Sequence, residues 1–160
     1  MKQAEFLRMR RALTGPGPEV PCWPVGISPV TFDPGRHAES ARALLNEAYA
    51  AGGGQIRPFP EWWAEISRDR EYDQSLCFAA VSDEMSELAA FAHCWTTAFI
   101  KDIAVAPMFR RRGVGRALLA EVFRTFHRRG AASVDLKVQA DNPSGATAFY
   151  QSLGMFIVSV

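Results

Sequence analysis

Between residues 98 and 130 a strand, a turn and a helix follow one another without a gap, and this succession leaves few folds open. AFIKDIAVAP (98–107) is apolar and ends in proline, which predicts a strand that stops at Pro107. Residues 113–129 repeat apolar side chains at helical spacing, and Gly130 supplies a stop. The apolar stripe comprises Val114, Leu118, Val122 and Phe126. Such a succession is typical of α/β proteins, in which helices cover a sheet.

The remaining segments extend this alternation over most of the chain. From residue 27 onward the predicted order is β-α-α-β-β-β-α-β-α-β, with no internal repeat. The predicted strands are residues 27–32, 75–81, 87–95, 98–107, 133–140 and 155–160, and the predicted helices are residues 37–50, 61–70, 113–129 and 142–153. Asn142 followed by Pro143 predicts the start of the last helix, as a cap and a first-turn proline. The predicted fold class is therefore α/β.

The N-terminal segment differs in composition from the rest. Residues 1–13 predict a short helix, whereas TGPGPEVPCWP (14–24) holds too much proline and glycine for regular structure. We therefore expect an N-terminal arm or extension over residues 1–24 and one domain over residues 25–160. A chain of 160 residues is long enough for one domain with its own core.

Cysteine usage and hydropathy indicate the compartment. Cys22, Cys77 and Cys94 are odd in number and lack C-x-x-C spacing, which argues for free thiols in a reducing cytoplasm and against a disulfide or a structural zinc. The three histidines form no ligand pattern, so no metal is expected. The N-terminus lacks the continuous apolar stretch of a secretory signal, and no apolar run approaches the roughly 20 residues of a membrane helix. We expect a cytoplasmic protein with no membrane partner.

Charge is unevenly distributed although the net charge is only +1. Residues 101–160 hold nine Lys and Arg against four Asp and Glu, whereas residues 1–100 hold nine against thirteen. A general nucleic-acid binder is usually basic throughout, so no nucleic-acid partner is expected. The distribution instead indicates one half that attracts an anion and one half that attracts or tolerates a cation.

The positive charge concentrates in FRRRGVGRALLAEVF (109–123), where the strand gives way to the helix. Gly113 and Gly115 permit positive φ and the close approach of a ligand, and the first helical turn presents unpaired N–H groups. The arginines that can pair with phosphate are Arg110, Arg111, Arg112 and Arg116. The spacing matches neither G-x-G-x-x-G nor the P-loop, so neither a dinucleotide site nor an NTPase site is supported. An anion cradle and a solvated basic helix start both fit this stretch.

Two motifs together resemble one family. Arg110-x-x-Gly113-x-Gly115 after Asp-Ile-Ala-Val-Ala-Pro resembles the acyl-CoA signature of the GNAT (GCN5-related) N-acetyltransferases. DNPSGATAFYQSLGM (141–155) resembles that family's segment with an asparagine, a tyrosine and a closing Leu-Gly-aromatic, except that here Met155 precedes Phe156. The motifs stand in the family's order and at about its usual separation. The resemblance covers residues 75–158 and, by element order, extends back to about residue 27.

The resemblance implies a single-domain acyl-CoA N-acyltransferase (GNAT) fold, with a mixed central sheet flanked by helices and two parallel strands splayed at the cofactor site. It also implies acetyl-CoA as the cofactor. Main-chain groups would pair with the pantetheine arm at Ile103, Ala104 and Val105. The pyrophosphate would be held by Arg110, Arg111, Arg112, Gly113, Val114, Gly115 and Arg116. Asn142 would bond the arm or cap its helix, and Ala146 and Phe149 would line the far wall.

The resemblance also implies how protons move during transfer. Family tyrosines at the place of Tyr150 protonate the leaving thiolate, and a phenol near pKa 10 is still protonated at neutral pH. The other interpretation of Tyr150 is one more member of the apolar stripe. The family deprotonates the acceptor amine with a carboxylate or a water chain, which makes Asp102 a candidate and His93 a second one. Cys94 would permit a covalent route, but the family usually transfers directly.

The acceptor site of this family is built mainly by the first two helices, the loop between them and the neighbouring strands. The implied acceptor residues are Tyr49, the hinge Gly52-Gly53-Gly54, Phe59, Trp62, Trp63 and Trp95. Residues 61–87 hold eight Asp and Glu but only two basic residues. An aromatic and acidic rim suits a cationic amine, whereas a core tryptophan and a solvated acidic helix face would look the same in sequence.

These features favour an acetyl-CoA-dependent N-acetyltransferase that moves an acetyl group to a primary amine of a small molecule or peptide by direct attack. The alternative is a non-catalytic acyl-CoA-binding regulatory or interaction module. A homodimer is a further expectation, because the last predicted strand can leave an unpaired edge. The acceptor itself cannot be inferred from fold resemblance.

Overall fold

The computed structural model describes residues 5–142 and 145–159, and seven strands of the chain form one sheet. The strands are β1 (Phe6–Ala12), β2 (Ile27–Thr31), β3 (Cys77–Ser82), β4 (Leu88–Trp95), β5 (Phe99–Val105), β6 (Ser133–Gln139) and β7 (Phe156–Ser159). The helices are α1 (Pro34–Tyr49), α2 (Phe59–Arg68), α3 (Val114–Arg128) and α4 (Ala146–Ser152). From residue 27 onward this order agrees with the predicted one, and β1 is added before it.

The sheet is mixed in direction. Its strand order is β2-β3-β4-β5-β6-β1-β7, and all neighbours are antiparallel except β5 and β6, which are parallel. A crossover through α3 joins these two parallel strands, as parallel pairing requires. The mixed sheet flanked by helices confirms the predicted fold class.

Helices cover the two faces of the sheet and create a core on each. On one face, α1 and α2 bury Leu45 and Trp62 against Phe91 of β4. On the other face, α3 buries a stripe that includes Leu118 and Val122, and α4 adds partly buried side chains to the same core. Alternate residues of each strand point to opposite faces, so β4 contributes Phe91 to the first core and its neighbours to the second.

Strands β5 and β6 separate soon after they meet. Only two pairs join them, Phe99 with Asp135 and Ile100 with Leu136. Beyond this point β5 stays paired with β4 as far as Val105, and β6 stays paired with β1 as far as Gln139. Because each strand follows its outer neighbour, the sheet opens between them. The splay that the family resemblance implied is thus present.

The N-terminal segment departs from the prediction. The helix expected over residues 1–13 is wrong, because Phe6–Ala12 form β1 between β6 and β7. The strand conformation depends on distant partners: Met9 is fully buried opposite Leu136, and backbone pairing to β6 satisfies the strand. Part of the expected arm therefore lies inside the sheet, while the division of the chain at residue 25 stays a prediction.

The last helix begins later than predicted. Its N-cap is Gly145 with a φ of 73°, and its first helical residue is Ala146, so the cap position lies three residues after Asn142. A left-handed φ at the cap suits glycine, which explains why the helix starts there. Pro143, the predicted first-turn proline, lies outside the described residues.

The described part of the chain holds neither a membrane-spanning helix nor a metal-binding cluster. No helix there is long and apolar enough to cross a membrane. No group of three or more His, Cys, Asp or Glu side chains there is arranged to hold a metal ion.

If β1 is an essential strand, truncating its buried side chain must destabilise the whole fold. We expect Met9→Ala to lower the free energy of unfolding by about 2–5 kcal/mol, the usual range for a fully buried methionine. Urea denaturation followed by circular dichroism measures this change. Val20→Ala is the control, because Val20 is 70% exposed in the same part of the chain. Equal stability of both variants would show that β1 is dispensable.

Arg8 and Arg10 of β1 form ion pairs with Asp135 of β6, and this charge cluster predicts a dependence of stability on pH. Burial alone would raise the pKa of Asp135, but hydrogen bonds from Arg10 and Arg8 outweigh burial and hold this pKa below its usual value. The cluster therefore stabilises the fold above the unfolded-state pKa of about 3.9 and loses this contribution as pH falls through the lower folded-state pKa. We expect the melting temperature of Asp135→Asn to lie below that of the wild type at neutral pH, and the difference to shrink in acid. A difference independent of pH would contradict this assignment.

Candidate active site

The opening between β5 and β6 exposes main-chain groups of three residues predicted to hold a ligand. Ile103, Ala104 and Val105 lie beyond the last pair with β6, and on the other side they pair with β4. One edge of this segment is thus hydrogen-bonded within the sheet, and the other edge faces the opening. The carbonyl of Val105 also accepts a hydrogen bond from Arg110 Nε at 3.1 Å, a contact that the sequence did not predict.

The arginine-glycine turn presents an uncapped helix N-terminus at the same end of β5. Gly113 is the N-cap of α3, with a φ of 85°, and within the described residues this helix start has no side-chain capping hydrogen bond. By contrast, Asp33 caps α1 by accepting from the Gly35 amide at 3.1 Å. Arg111 also has a positive φ, 62°, which is uncommon outside glycine and tightens the turn. Unpaired amides at a helix N-terminus are suited to binding phosphate.

The arginines around this turn differ in what they contact. Besides Arg110, Arg112 places its guanidinium 6.0 Å from the centre of the Phe109 ring. Arg116 forms a bidentate ion pair with Glu19, with both N–O distances at 3.0 Å. Glu19 belongs to the segment before β2, and no local motif indicated that it would reach α3. The expectation that Arg116 is directed at a phosphate is corrected to this extent: its fork is engaged by a carboxylate of the same chain.

Gly115 allows three elements to meet at the wall of the opening. A Cβ at this position would lie 3.2 Å from Phe149 Cζ and 3.6 Å from Val105 Cγ2. The first turn of α3, the end of β5 and the side of α4 are therefore in contact. Ala146, the first residue of α4, packs against the core that α3 covers. On the opposite side of the opening, a Cβ at Gly53 would lie 3.5 Å from Asn142 Nδ2.

Tyr150 lies on α4 between the core and the opening. Its ring packs against the core on the α3 side, with the Phe149 ring centre 5.6 Å away. Burial raises the pKa of Tyr150 to about 12, so its hydroxyl remains protonated throughout the physiological range. The phenol is thus available as a proton donor.

Asp102 is directed toward α1 and is held there by a tyrosine. Its Oδ1 accepts a hydrogen bond from the Tyr49 hydroxyl at 2.6 Å, and the residue is 7% exposed. Burial raises the pKa of Tyr49, and the charges of Asp102 and Tyr150 raise it further, whereas that of Arg42 lowers it. These four side chains therefore lie close enough to influence one another.

The structure does not favour His93 as a proton acceptor. His93 is fully buried opposite Asp102 on β4, and among the described residues neither ring nitrogen has a hydrogen-bond partner. Its ring packs edge-on against Trp95 at 4.4 Å. Burial lowers the pKa of His93 to about 4, so the imidazole is neutral and weakly basic at pH 7. This corrects its expected catalytic role.

Cys94 is equally unsuited to a covalent route. The side chain is fully buried, and burial raises the pKa of its thiol well above the usual value. A thiolate is the nucleophilic form of cysteine, so this environment keeps Cys94 inert.

The aromatic residues near α2 divide between core and surface. Trp62 is only 2% exposed and packs against Phe91, which corrects the expectation that it lines an acceptor surface. Phe59, Trp63 and Trp95 are partly buried at the border of the same core. Tyr72, which the sequence did not single out, meets Trp63 edge-on at 5.8 Å.

The expected acidic rim is not one surface. Asp73 pairs with Arg129 at 3.0 Å, next to the end of α3. Asp83 accepts from the hydroxyl of Ser28 at 2.6 Å, beside the sheet edge. Glu65 pairs with Arg57 in the loop between α1 and α2. At least three of the acidic side chains therefore have partners of their own, and a cationic acceptor cannot be inferred from the acidic count.

A cavity on another part of the sheet does not coincide with this site. A cavity of about 590 Å³ lies between β2, β3 and α3, with Trp23, Phe78 and Leu118 in its walls. None of the predicted site residues lines it. The opening is recognised instead by unpaired strand edges and an uncapped helix.

Comparison with known proteins agrees with this architecture. A mixed sheet whose two parallel strands part beside an uncapped helix N-terminus defines an acyl-CoA N-acyltransferase fold. The model of the Acetyltransferase (GNAT) family matches residues 38–155, and the chain therefore belongs to the GNAT family. The resemblance drawn from the two motifs is thus confirmed, and acetyl-CoA is the donor that this family uses.

Solved structures add detail. A GCN5-related N-acetyltransferase from Sphaerobacter thermophilus has a TM-score of 0.83 and 30% identity, over 96% of this chain and 48% of that one. A tandem GNAT protein from the clavulanic acid biosynthesis pathway has a TM-score of 0.67 and 18% identity, over 96% of this chain and 50% of that one. This second likeness shows the fold alone. The ribosomal-protein-S18-alanine N-acetyltransferase from Escherichia coli has a TM-score of 0.63 and 26% identity, over 80% and 76%.

Curated relatives are similar over part of the chain. The [Ribosomal protein bS18]-alanine N-acetyltransferase of Escherichia coli strain K12 is 41% identical over 71 residues, which is 42% of this chain and 47% of that protein. The Salmonella typhimurium enzyme of the same name is 39% identical over 72 residues. The chain thus spans about half the length of the curated relatives it matches.

A larger side chain at Gly115 should press on Phe149 and narrow the opening. We expect Gly115→Val to raise the Kd for acetyl-CoA at least about tenfold, because the Cβ alone already meets Phe149 at 3.2 Å. Isothermal titration calorimetry measures the Kd. Gly35→Val is the matched control, since Gly35 occupies the same position in the first turn of α1 and its nearest atom lies at 3.6 Å. Equal affinities of both variants would place the donor elsewhere.

Proposed function

We propose that this chain is an acetyl-CoA-dependent N-acetyltransferase that acts on a primary amine by direct attack. The observation that carries the proposal is the coincidence of three features at one end of the sheet. These are the opening between β5 and β6, the uncapped N-terminus of α3 and the protonated Tyr150. Family membership supports the donor, and the geometry of this chain supports the assignment of roles.

The donor would lie along the opening. Main-chain groups of β5 at Ile103 and Ala104 would bond the amides of its pantetheine arm, and the amides from Val114 onward would hold the pyrophosphate. Gly115 fits this role because a Cβ would intrude on the wall formed by Phe149. Acetyl-CoA supplies a thioester, whose carbonyl carbon is the electrophile.

The proton transfers would be divided between two side chains. Asp102 would accept a proton from the acceptor ammonium, which frees the nitrogen lone pair for attack on the thioester carbon. As the C–N bond forms and the C–S bond breaks, Tyr150 would donate its proton to the departing sulfur. A backbone N–H of β5 near Ile103 would stabilise the oxyanion between these events. The nitrogen would give its second proton to the Tyr150 phenolate as the amide forms, and Asp102 would release its proton to water. Atoms and charge then balance without a covalent enzyme intermediate.

The acceptor class is supported only indirectly. The similar curated proteins are named alanine N-acetyltransferases of a ribosomal protein, which favours a peptide or protein amine for this chain too. A small-molecule amine would fit the same chemistry. The second candidate function is a non-catalytic acyl-CoA-binding module, which the inert surroundings of His93 and Cys94 leave open.

A release assay separates these functions. Free CoA is followed with a thiol reagent while acetyl-CoA is mixed with a panel of peptides and small amines. Turnover above the hydrolysis rate with any amine supports the transferase. Acetyl-CoA binding in the micromolar range without turnover on any peptide or amine of the panel would favour the binding module.

Tyr150→Phe tests the assigned proton donor. Removal of the hydroxyl should lower kcat by roughly 10²–10⁴-fold, the usual contribution of general acid catalysis, and leave the Kd for acetyl-CoA nearly unchanged. Stopped assays and calorimetry on the same preparation give both numbers. Cys94→Ala serves as the comparison, because direct transfer predicts that its kcat stays within a few-fold of the wild type. A large loss in Cys94→Ala with little loss in Tyr150→Phe would overturn the mechanism.

A further inference from the structure

Tyr49 occupies a position that its expected role in acceptor binding does not explain. It is the last residue of α1, and its hydroxyl points to the sheet, where it donates to Asp102 Oδ1 at 2.6 Å. Among the described residues, Tyr49 is the side chain that donates a hydrogen bond to the Asp102 carboxylate. A tyrosine that only lined a pocket would direct its hydroxyl toward the ligand. The Tyr49 hydroxyl instead donates its hydrogen bond to the Asp102 carboxylate.

The loop after α1 is shaped to hold the Tyr49 ring in place. A Cβ at Gly54 would lie 2.6 Å from Tyr49 Cδ2, a distance that side chains essentially never show, so the backbone there rests directly on the ring. Gly52 and Gly53 carry the same loop toward Gln139 and Asn142 on the other side of the opening. The run of three glycines therefore lets the loop reach the opening and clamp the ring.

Arg42 supports the same ring from within α1. The residue is only 2% exposed, and its guanidinium lies 5.7 Å from the Tyr49 ring centre. It donates to Asn46 Oδ1 at 2.9 Å and to the Gln55 carbonyl at 3.0 Å, which ties the helix to the loop. Burial lowers the pKa of Arg42, and the charge of nearby Asp102 opposes this lowering, so the two side chains interact.

Several ionisable groups interact with Asp102 or with its neighbours. Asp102 interacts with Arg42 and Tyr49 of α1 and with His93 and Cys94 of β4. Tyr150 of α4 interacts with Tyr49, whereas Lys101 and Asp69 interact with His93. His93 is neutral at pH 7 and both Cys94 and Tyr150 remain protonated, so they add no charge there. Among these groups, Tyr49 is a neutral hydrogen-bond donor in direct contact with the Asp102 carboxylate.

We infer that Tyr49 is a positioning residue that fixes Asp102 through Oδ1 and leaves Oδ2 to accept the amine proton. This inference rests on the proposed function and deepens it. The hydrogen bond holds one rotamer of the carboxylate and gives a partner to an oxygen of a residue that is only 7% exposed. Tyr150 lies close enough to Tyr49 to raise its pKa, so the proposed proton donor is near the proposed acceptor.

Tyr49→Phe removes the hydroxyl and keeps the ring that Gly54 and Arg42 contact. The carboxylate then loses the hydrogen bond that fixes its rotamer, so kcat should fall about tenfold, whereas the KM for the amine and the Kd for acetyl-CoA should stay within about twofold. In the Asp102→Asn background the same change should lower kcat by less than about twofold, because the carboxylate that Tyr49 would position is already absent.

Two variants make the test specific. Tyr72→Phe is the matched control, since it removes the hydroxyl of another tyrosine at the same core without touching Asp102, and its kcat should equal that of the wild type. Gly54→Ala should reproduce the loss of kcat, because the added Cβ displaces the Tyr49 ring. An unchanged kcat in folded Tyr49→Phe, or an equal loss of kcat with and without the Asp102 carboxylate, would overturn the inference.

Failure of the proposed function would look different. Wild-type protein that releases no CoA with any amine would overturn the transferase and, with it, a catalytic use of Asp102. Wild-type protein that turns over while Tyr49→Phe has the same kcat would overturn the role of Tyr49 alone.

Discussion

The early separation of β5 from β6 determines where this molecule can do chemistry. Two residue pairs join the strands, and then each follows its outer neighbour, β4 on one side and β1 on the other. Strand edges that face each other without pairing leave backbone donors and acceptors unsatisfied, which is costly unless water or a ligand meets them. The uncapped start of α3 lies at the same end of β5, so a single elongated ligand with amides and phosphates would satisfy both sets of groups.

The strand β1 is what allows β6 to leave β5. It pairs with β6 over seven residues and with β7 on its other side, so β6 keeps a full partner after it has lost β5. At the base of the opening, Asp135 receives hydrogen bonds from Arg8 Nε at 2.7 Å and from Arg10 Nε at 2.8 Å. The N-terminal residues thus stabilise the geometry of a site that is built from the other end of the chain.

Local patterns were enough to predict the elements from residue 27 onward, because their apolar spacing and their glycine and proline stops are recorded in consecutive residues. They were not enough for β1, whose strand conformation depends on partners more than 120 residues away. The site divides in the same way. The backbone cradle follows from a contiguous motif, whereas the bonds of Glu19 to Arg116 and of Tyr49 to Asp102 join residues that no spacing relates. Adjacent Trp62 and Trp63 differ in burial because the helix turns one inward, and a short amphipathic helix does not reveal which.

The environments of the two proposed proton-handling residues are opposite in kind, and this asymmetry follows from their elements. Tyr150 sits on α4 against an apolar core, where burial raises its pKa and keeps the proton on the phenol. Asp102 sits on β5, where its carboxylate accepts a hydrogen bond from Tyr49 and lies near the buried guanidinium of Arg42. In the proposed mechanism, an apolar surrounding suits the group that gives a proton, and polar partners suit the group that takes one. The acceptor amine would then approach between them, beside the glycine loop at residues 52–54, so acceptor choice would depend on side chains around that loop rather than on the cradle for the donor.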